Sequence, residues 1–303
     1  MPELPEVQTI VSDLNKKITG RRIRRIWFDA PKLIKKPKPG EFEKQIKGLK
    51  ITEVKRRGKN ILIYLTKNLK SKTKSYLLLI HQKMTGHLLY GKWRVKKVSS
   101  SKSQVSSLLR GPLREKVNNY IHLVFYFDNG WQMALSDLRK FAKVVFGLKE
   151  EIEDLPELKK IGPDAISKNF TFQKFKGTLN NSRGKIKQVL MNQEVIAGIG
   201  NIYSDDILWQ AKIHPFRTAD SLKPKELKST YSAMRGILAK AVRLRGTSIS
   251  DYRDPDGKSG FYADKRLVYR RERELCRRCQ NPIKRVKIGG RSAHYCPNCQ
   301  KQF

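Results

Sequence analysis

The chain has 303 residues, 39% hydrophobic and 9% aromatic, the composition of a globular protein long enough for two domains or two plus a small module. With 65 Lys+Arg against 27 Asp+Glu the formal net charge is +38, a field that attracts polyanions and makes nucleic acid the expected partner. No apolar run approaches the roughly 18 residues of a membrane span, and the acidic start lacks the basic region of a signal peptide, so a soluble cytoplasmic chain without a membrane partner is expected.

The first element follows directly from MPELPE. Pro5 suits the first helical position and Glu6 the positive end of a helix. Val7, Ile10, Val11, Leu14 and Ile18 then form one apolar face before Gly20, which predicts a helix over 3–18. A helix start leaves Pro2 and Glu3 unexplained. Residues 21–148 read as strands, from RRIRRIWFDA through ITEVKRRGKNILIYLT, SYLLLIHQKMTGHLLYG and YIHLVFYFDNGWQMALSD to KFAKVVFG. DNG between two apolar runs is a hairpin signal, and many short strands with turns at this spacing predict a sandwich or barrel. The Ser- and Lys-rich stretch 92–119 interrupts the pattern and is expected to be a long, mobile surface loop.

From about residue 151 the period changes. NSRGKIKQVLMNQ and NIYSDDILWQAKI carry apolar residues at helical spacing, separated by EVIAGIG, and 224–246 reads as a further amphipathic helix ending at Gly246. A Gly-, Asp- and Ser-rich loop follows over 251–264, then the cysteines. The expected division is 1–150 for a β-sandwich domain with its N-terminal helix, 151–250 for a helical domain, and 251–303 for the loop and cysteine module.

All four cysteines lie near the end of the chain, as Cys276-x2-Cys279 and Cys296-x2-Cys299 separated by sixteen residues. Two such knuckles fit a tetrahedral four-thiolate site holding one structural Zn2+, with no open position for catalysis. IKRVKI-GG-RSAHYC within the module reads as a hairpin with a Gly-Gly turn, and Arg291 sits just beyond its tip.

Pro2 acquires a meaning if Met1 is removed. The new terminus is a secondary amine, and an α-amino group titrates below a lysine side chain, so more of it is neutral and nucleophilic near pH 7. Its attack on a carbonyl or on a sugar C1′ gives an iminium with no N–H to lose, an electron sink suited to elimination. Glu3, next door, is placed for proton transfer. Lys59 opens a strand after Arg56 and Arg57, a place for phosphate binding or proton transfer or simply a solvated turn. Met84 at a strand-to-turn boundary reads on its own as a core methionine. Arg139, Lys140 and Phe141 follow one another in SDLRKFAK, and Asn201 in GIGNIY reads as a helix N-cap whose neighbouring N–H groups can receive a phosphate.

PELPEV, GKNIL, HQKMTG, DLRKFA, IGPDA, IKQVLMN, GIGNIY, IHP and the closing CxxC-x16-CxxC run in the order seen in bacterial formamidopyrimidine-DNA glycosylases, and the chain resembles that family from Met1 to Gln300 with 92–119 standing apart. The resemblance implies an α+β multidomain fold: an N-terminal helix on an antiparallel β-sandwich, a helix–two-turn–helix domain and a C-terminal zinc β-hairpin. It implies a bifunctional glycosylase and abasic-site lyase of base excision repair, acting on 8-oxoguanine and formamidopyrimidines in damaged double-stranded DNA. The same likeness implies a monomer in the bacterial cytoplasm, associated with the nucleoid. On this likeness Pro2 is the Schiff-base nucleophile and Glu3 the general acid/base, with Glu6 supporting the site. Lys59 assists β-elimination, and Arg291 grips the lesion's phosphates and serves δ-elimination. Met84, Arg139 and Phe141 match the trio that fills the void left by a flipped nucleotide. Lys140 falls in the same loop, and Arg183, Lys187 and Asn201 match residues that hold the DNA backbone.

Several positions depart from the pattern. Leu138 and Lys140 stand where the usual form is DPRRFG, and Lys loses the bidentate phosphate geometry of Arg. HQKMTG replaces HLGMSG. Asn118 falls near a DNA-contacting histidine of the family. The 251–264 loop resembles the one that caps the flipped base. Two alternatives stay open at this point: an endonuclease VIII-like enzyme for oxidised pyrimidines, against which PELPE and LRKF argue, and a non-catalytic zinc protein that binds nucleic acid through its charge.

Overall fold

The computed structural model describes residues 1–68, 73–97, 103–249 and 251–302. These fall into two compact units. The first comprises Met1–Pro2, Glu6–Lys159 and Arg245–Phe261, and the second Glu3–Pro5, Lys160–Leu244 and the chain from Tyr262 onward. Arg245–Phe261 thus packs with the sandwich, a different grouping from the boundary expected at 250/251.

In the first unit α1 (Leu4–Ile18) is followed by β1 (Ile23–Phe28), β2 (Ile34–Lys36), α2 (Pro39–Ile46), β3 (Lys50–Arg57), β4 (Asn60–Asn68), β5 (Thr73–His81), β6 (Gly86–Gly91), β7 (Trp93–Lys97), β8 (Ser103–Ser107), β9 (Ile121–Phe127), β10 (Gln132–Asp137) and β11 (Lys143–Leu148), then the short helices α3 (Lys149–Glu153) and α4 (Pro156–Lys159). One sheet has the order β1-β9-β10-β6 and the other β2-β11-β5-β4-β3, antiparallel apart from the β11–β2 pair. The expected apolar stripe of α1 is buried whole, together with Ile26, Leu78, Ile80, Phe125 and Leu135 in one core. Alternation fixes this packing: in β9, Leu123, Phe125 and Phe127 face that core while Val124 and Tyr126 face the other way. DNG closes the β9–β10 hairpin, with Gly130 at φ +76.

Two parts of the sequence reading are corrected here. The helix α2 has too few apolar positions to declare itself, yet Phe42 and Ile46 are fully inaccessible, and Phe42 lies 5.5 Å from Phe146, ring to ring. The stretch 92–119 is a covering layer, so far as it is described. β7 and β8 pair as a hairpin, and Trp93 and Leu113 pack on Leu89, Val124 and Ala134, closing the outer face of the four-stranded sheet. Its Ser and Lys content reflects the solvent side of that hairpin, while alternate residues carry the contacts. Residues 98–102 lie outside the described residues.

The second unit contains α5 (Phe172–Asn180), α6 (Ile186–Met191), α7 (Asn201–Ala211), α8 (Pro224–Arg243) and the hairpin β12 (Lys284–Ile288) and β13 (Arg291–Tyr295). Leu4 joins Phe175, Leu190, Tyr203, Leu208 and Leu238 in its core, and a smaller cluster holds Trp209, Val268 and Ile283 with the cysteines.

Because Trp93 is 3% exposed, Trp93→Ala is expected to cost about 3–5 kcal/mol of unfolding free energy, as a buried aromatic truncation does. A urea titration would read this; an unchanged midpoint would restore the mobile-loop reading.

Candidate active site and nucleic-acid interface

Glu3 defines the site's geometry. Its carboxylate is buried and caps α7: Oε2 accepts from the backbone N–H of Gly200 at 2.8 Å and of Tyr203 at 3.4 Å, and Oε1 from Ile202 at 2.9 Å. The negative charge thus meets the unsatisfied donors and positive end of the helix dipole. Gly200 is required by contact, because a Cβ there would lie 2.4 Å from the Glu3 carboxyl carbon. The expectation that Asn201 caps this helix is corrected. Gly200 is the N-cap residue, Asn201 is the first helical residue, and its Oδ1 is buried without a partner among the described residues. The N–H groups proposed as a phosphate cradle are occupied by Glu3.

In the first unit Pro2 is buried and precedes α1, and Glu6 is buried within it. Glu6 Oε1 accepts from Thr247 N at 2.7 Å, and a Cβ on Gly246, at φ +81, would sit 2.8 Å from the Glu6 side chain. Glu6 therefore pins the start of the segment leading into 251–261. Lys59, also buried, is presented by the β3–β4 turn, whose Gly58 carbonyl is held by Arg56 Nη1 at 2.9 Å. Its ammonium charge acts on His81 of β5. Burial first, then Lys83 and Lys59, lower the His81 pKa to about 4, so the imidazole is neutral at pH 7.

Met84, Leu138 and Phe141 are 47%, 48% and 50% exposed, so the core reading of Met84 is corrected. Arg139 ties the group together, its guanidinium 4.5 Å from the Phe141 ring centroid and Nη1 3.2 Å from Met84 Sδ. The loop is rigidly held from behind by Asp137, which is fully buried. Oδ2 accepts from Phe141 N and Ala142 N, each at 2.7 Å, and Oδ1 from Arg139 N and the Thr85 hydroxyl. Lys140 is exposed in the left-handed region at φ +54, a conformation these bonds impose. Beside Met84, Gln82 is 1% exposed and neither end of its amide is paired among the described residues.

Two predicted DNA contacts are corrected. Asn118 is inaccessible. It bonds His87 Nε2 at 2.9 Å and donates to the carbonyls of Pro112 at 2.8 Å and Gly257 at 3.3 Å. Its work is to fasten the 251–261 segment, which is also held by Pro255 O to Tyr90 N at 2.7 Å and by Arg245 bridging Asp13 and Asp254. The structure therefore shows 251–261 as a packed segment of the sandwich unit. Lys187 is 1% exposed and forms an ion pair with Asp205, with Ser204 Oγ at 3.2 Å. The other Asp205 oxygen lies 2.9 Å from both the backbone N and Nδ1 of His294 on β13. Arg183 is exposed in the loop before α6, and Arg291 is exposed at the start of β13, just past Gly289 and Gly290. Both glycines have φ > 0, as a two-residue hairpin turn of this kind requires.

The sulfurs of Cys276, Cys279, Cys296 and Cys299 lie within 4.8 Å of one another, and this donor set fits one structural Zn2+. N–H groups point at them: Trp209 Nε1 lies 3.3 Å from Cys276 Sγ and Cys299 N 3.4 Å from Cys296 Sγ. Sequence reasoning missed Asp137, Asp205, Asp206 and Arg245. Asp206 accepts from Tyr262 OH at 2.9 Å and from the backbone of Leu267 and Val268, while burial raises its pKa. The adjacent pair in NIYSDD was the available signal, since two acidic residues inside an apolar helix need buried partners.

Residues 1–144 match the formamidopyrimidine-DNA glycosylase N-terminal domain, 161–253 its H2TH domain, and 273–302 a zinc finger found in FPG and IleRS. The formamidopyrimidine-DNA glycosylase of Pelotomaculum thermopropionicum is 35% identical over 99% of both chains. Two solved structures of the Lactococcus lactis enzyme cover 99% of this chain at 30% identity. One is bound to abasic-site DNA (TM-score 0.81, 99% of that chain) and the other to Fapy-dG DNA (TM-score 0.80, all of that chain). Three matched regions in this order define a DNA glycosylase of the helix–two-turn–helix class. The chain belongs to the formamidopyrimidine-DNA glycosylase family.

Asp205→Ala is expected to cost about 3–5 kcal/mol, because it strands the buried Lys187 charge; chemical denaturation measures it, and a near-neutral change would exclude the pair as a structural support. Gln82→Leu is expected to gain about 1–3 kcal/mol by removing an unpaired buried amide, visible as a raised melting temperature; a loss of stability would show that the amide has a partner.

Proposed function

We infer that this chain is a bifunctional DNA glycosylase and abasic-site lyase of base excision repair, removing oxidised purines such as 8-oxoguanine and formamidopyrimidines. The observation that carries the reading is a buried N-terminal Pro2–Glu3 pair, with the Glu3 carboxylate held on the start of α7, in a chain of this family. Removal of Met1 frees the Pro2 nitrogen. Its lone pair forms a bond to C1′ as the bond from C1′ to the damaged base breaks, and the base leaves with a proton. Ring opening gives an iminium between Pro2 and the sugar. Loss of a C2′ proton expels the 3′-phosphate, and a second elimination expels the 5′-phosphate. Water then releases Pro2 from the remaining sugar fragment.

Glu3 is the proton-transfer group at the sugar, and Lys59 binds phosphate and assists the first elimination. Arg291 holds the lesion's phosphates and serves the second. Met84, Arg139 and Phe141 fill the gap left by the flipped nucleotide, Arg139 offering donors to the orphaned base. Lys140 and Arg183 bind backbone phosphates, positioning the duplex without reading its sequence. The zinc supplies no chemistry; it holds the hairpin that carries Arg291. The working divisions are the catalytic sandwich (1–150), the DNA-binding helices (151–250) and the capping loop with the zinc finger (251–303). The enzyme acts as a monomer, at the nucleoid of a bacterial cytoplasm; among the described residues no helix is long and apolar enough to cross a membrane.

Borohydride reduction during turnover on an 8-oxoguanine:cytosine duplex is expected to trap a covalent complex whose cross-linked peptide begins at Pro2. Glu3→Gln keeps an acceptor for the α7 cap and is expected to slow base release about 10²–10⁴-fold. Tight duplex binding by a Met1-free chain with no trapped complex would leave a binding protein rather than a lyase for this lesion.

A further inference from the structure

The segment that stands apart from the family pattern builds something besides a cover. Beside the β7–β8 hairpin, on the outer side of the four-stranded sheet, runs a groove of about 630 Å³ whose walls include Arg25, Trp27, Arg94, Leu108 and Tyr126. Arg25 and Trp27 are alternate residues of β1 and project from the same face. The Arg25 guanidinium carbon lies over the Tyr126 ring, 3.6 Å from its centroid. Trp27 and Tyr126 are half-buried, fixed at one side and open at the other, and Arg94 is exposed on β7. Gln132, also lining the groove, anchors the hairpin by accepting from Trp93 N at 2.8 Å and donating to Trp93 O at 3.2 Å. Among the described residues no carboxylate lines the groove, and Arg22, Arg24, Lys92 and Lys96 add positive charge from the same two stretches of chain.

We propose that this groove is a second nucleic-acid site, which holds a single strand. Its lining shares no residue with the catalytic or void-filling sets. Flat aromatic and guanidinium faces interleaved with cations suit unpaired bases on a phosphate backbone; a duplex keeps its base faces stacked away, and an acidic peptide has no succession of flat rings to lay on them. Binding there is sequence-tolerant and weakens steeply with salt.

The test uses the full chain saturated with a duplex carrying a tetrahydrofuran abasic analogue, titrated with a fluorescein-labelled short oligothymidylate. A 5-iododeoxyuridine version of the oligonucleotide is photo-cross-linked and mapped by mass spectrometry. The expected result is a rise in anisotropy that persists with the duplex bound, cross-links at Trp27 or Tyr126, and at least about tenfold weaker oligonucleotide binding in Arg25→Glu/Arg94→Glu, with duplex affinity and melting temperature unchanged. Displacement of the oligonucleotide by the duplex, cross-links confined elsewhere, or wild-type affinity in the double variant would overturn the proposal. Equal binding of polyglutamate without cross-links to the groove would reassign it to a protein partner and overturn it too. The cross-link map is read on the unmodified chain, so it decides the matter even if the double variant unfolds. A chain that ignores the duplex but still cross-links through the groove counts against the repair reading and leaves the groove standing.

Discussion

The Glu3 carboxylate on the N-terminus of α7 is the contact around which the second unit is organised. A cap of this kind is worth only about 1 kcal/mol to a helix, but burying an uncompensated carboxylate costs several, so the cap is what allows Glu3 to lie inside at all. The same helix then extends three further polar side chains to four other parts. Asp205 takes Lys187 of α6 and His294 of β13, Asp206 takes the backbone at Leu267 and Val268, and Trp209 donates to Cys276. One helix thereby sets the register of the chain's beginning, the helix–two-turn–helix and the zinc hairpin.

The first unit uses buried carboxylates in the same way. Asp137 gathers four donors and so holds three large apolar side chains in water around Arg139. Exposed Met84, Leu138 and Phe141 and a left-handed Lys140 all oppose stability; they persist because the surrounding bonds over-determine the loop. Glu6 and Asp254 do likewise for the chain that leads from α8 into 251–261, through Thr247 and Arg245. Local strain and exposed apolar surface are thus concentrated in the 138–141 loop and at the neighbouring Met84.

Much of this was legible in the sequence, for reasons that differ by element. The stripe of α1, the DNG hairpin and the paired cysteine knuckles are local patterns that hardly depend on what surrounds them. Lys187 and Asn118 were misread because a polar residue carries no mark of burial: only the partners, Asp205 eighteen residues away and Gly257 far along the chain, decide that each faces inward. Asn201 was misread because its rival for the cap lies at the other end of the sequence. The 92–119 stretch misled through composition, since alternate residues of a surface hairpin are polar even when the rest seal a sheet. Pro2 and Glu3 drew a chemical reading from the amine of a freed terminus and their assigned roles from resemblance, and the structure adds the reason why residue 200 is glycine.

Glu3 and Gly200 are the two ends of a contact that spans nearly two hundred residues of chain. A ribosome making about 5–20 residues per second delivers Glu3 long before Gly200, so the carboxylate is made well ahead of the donors that compensate its burial. The start of α7 completes a contact whose first partner is nearly two hundred residues older.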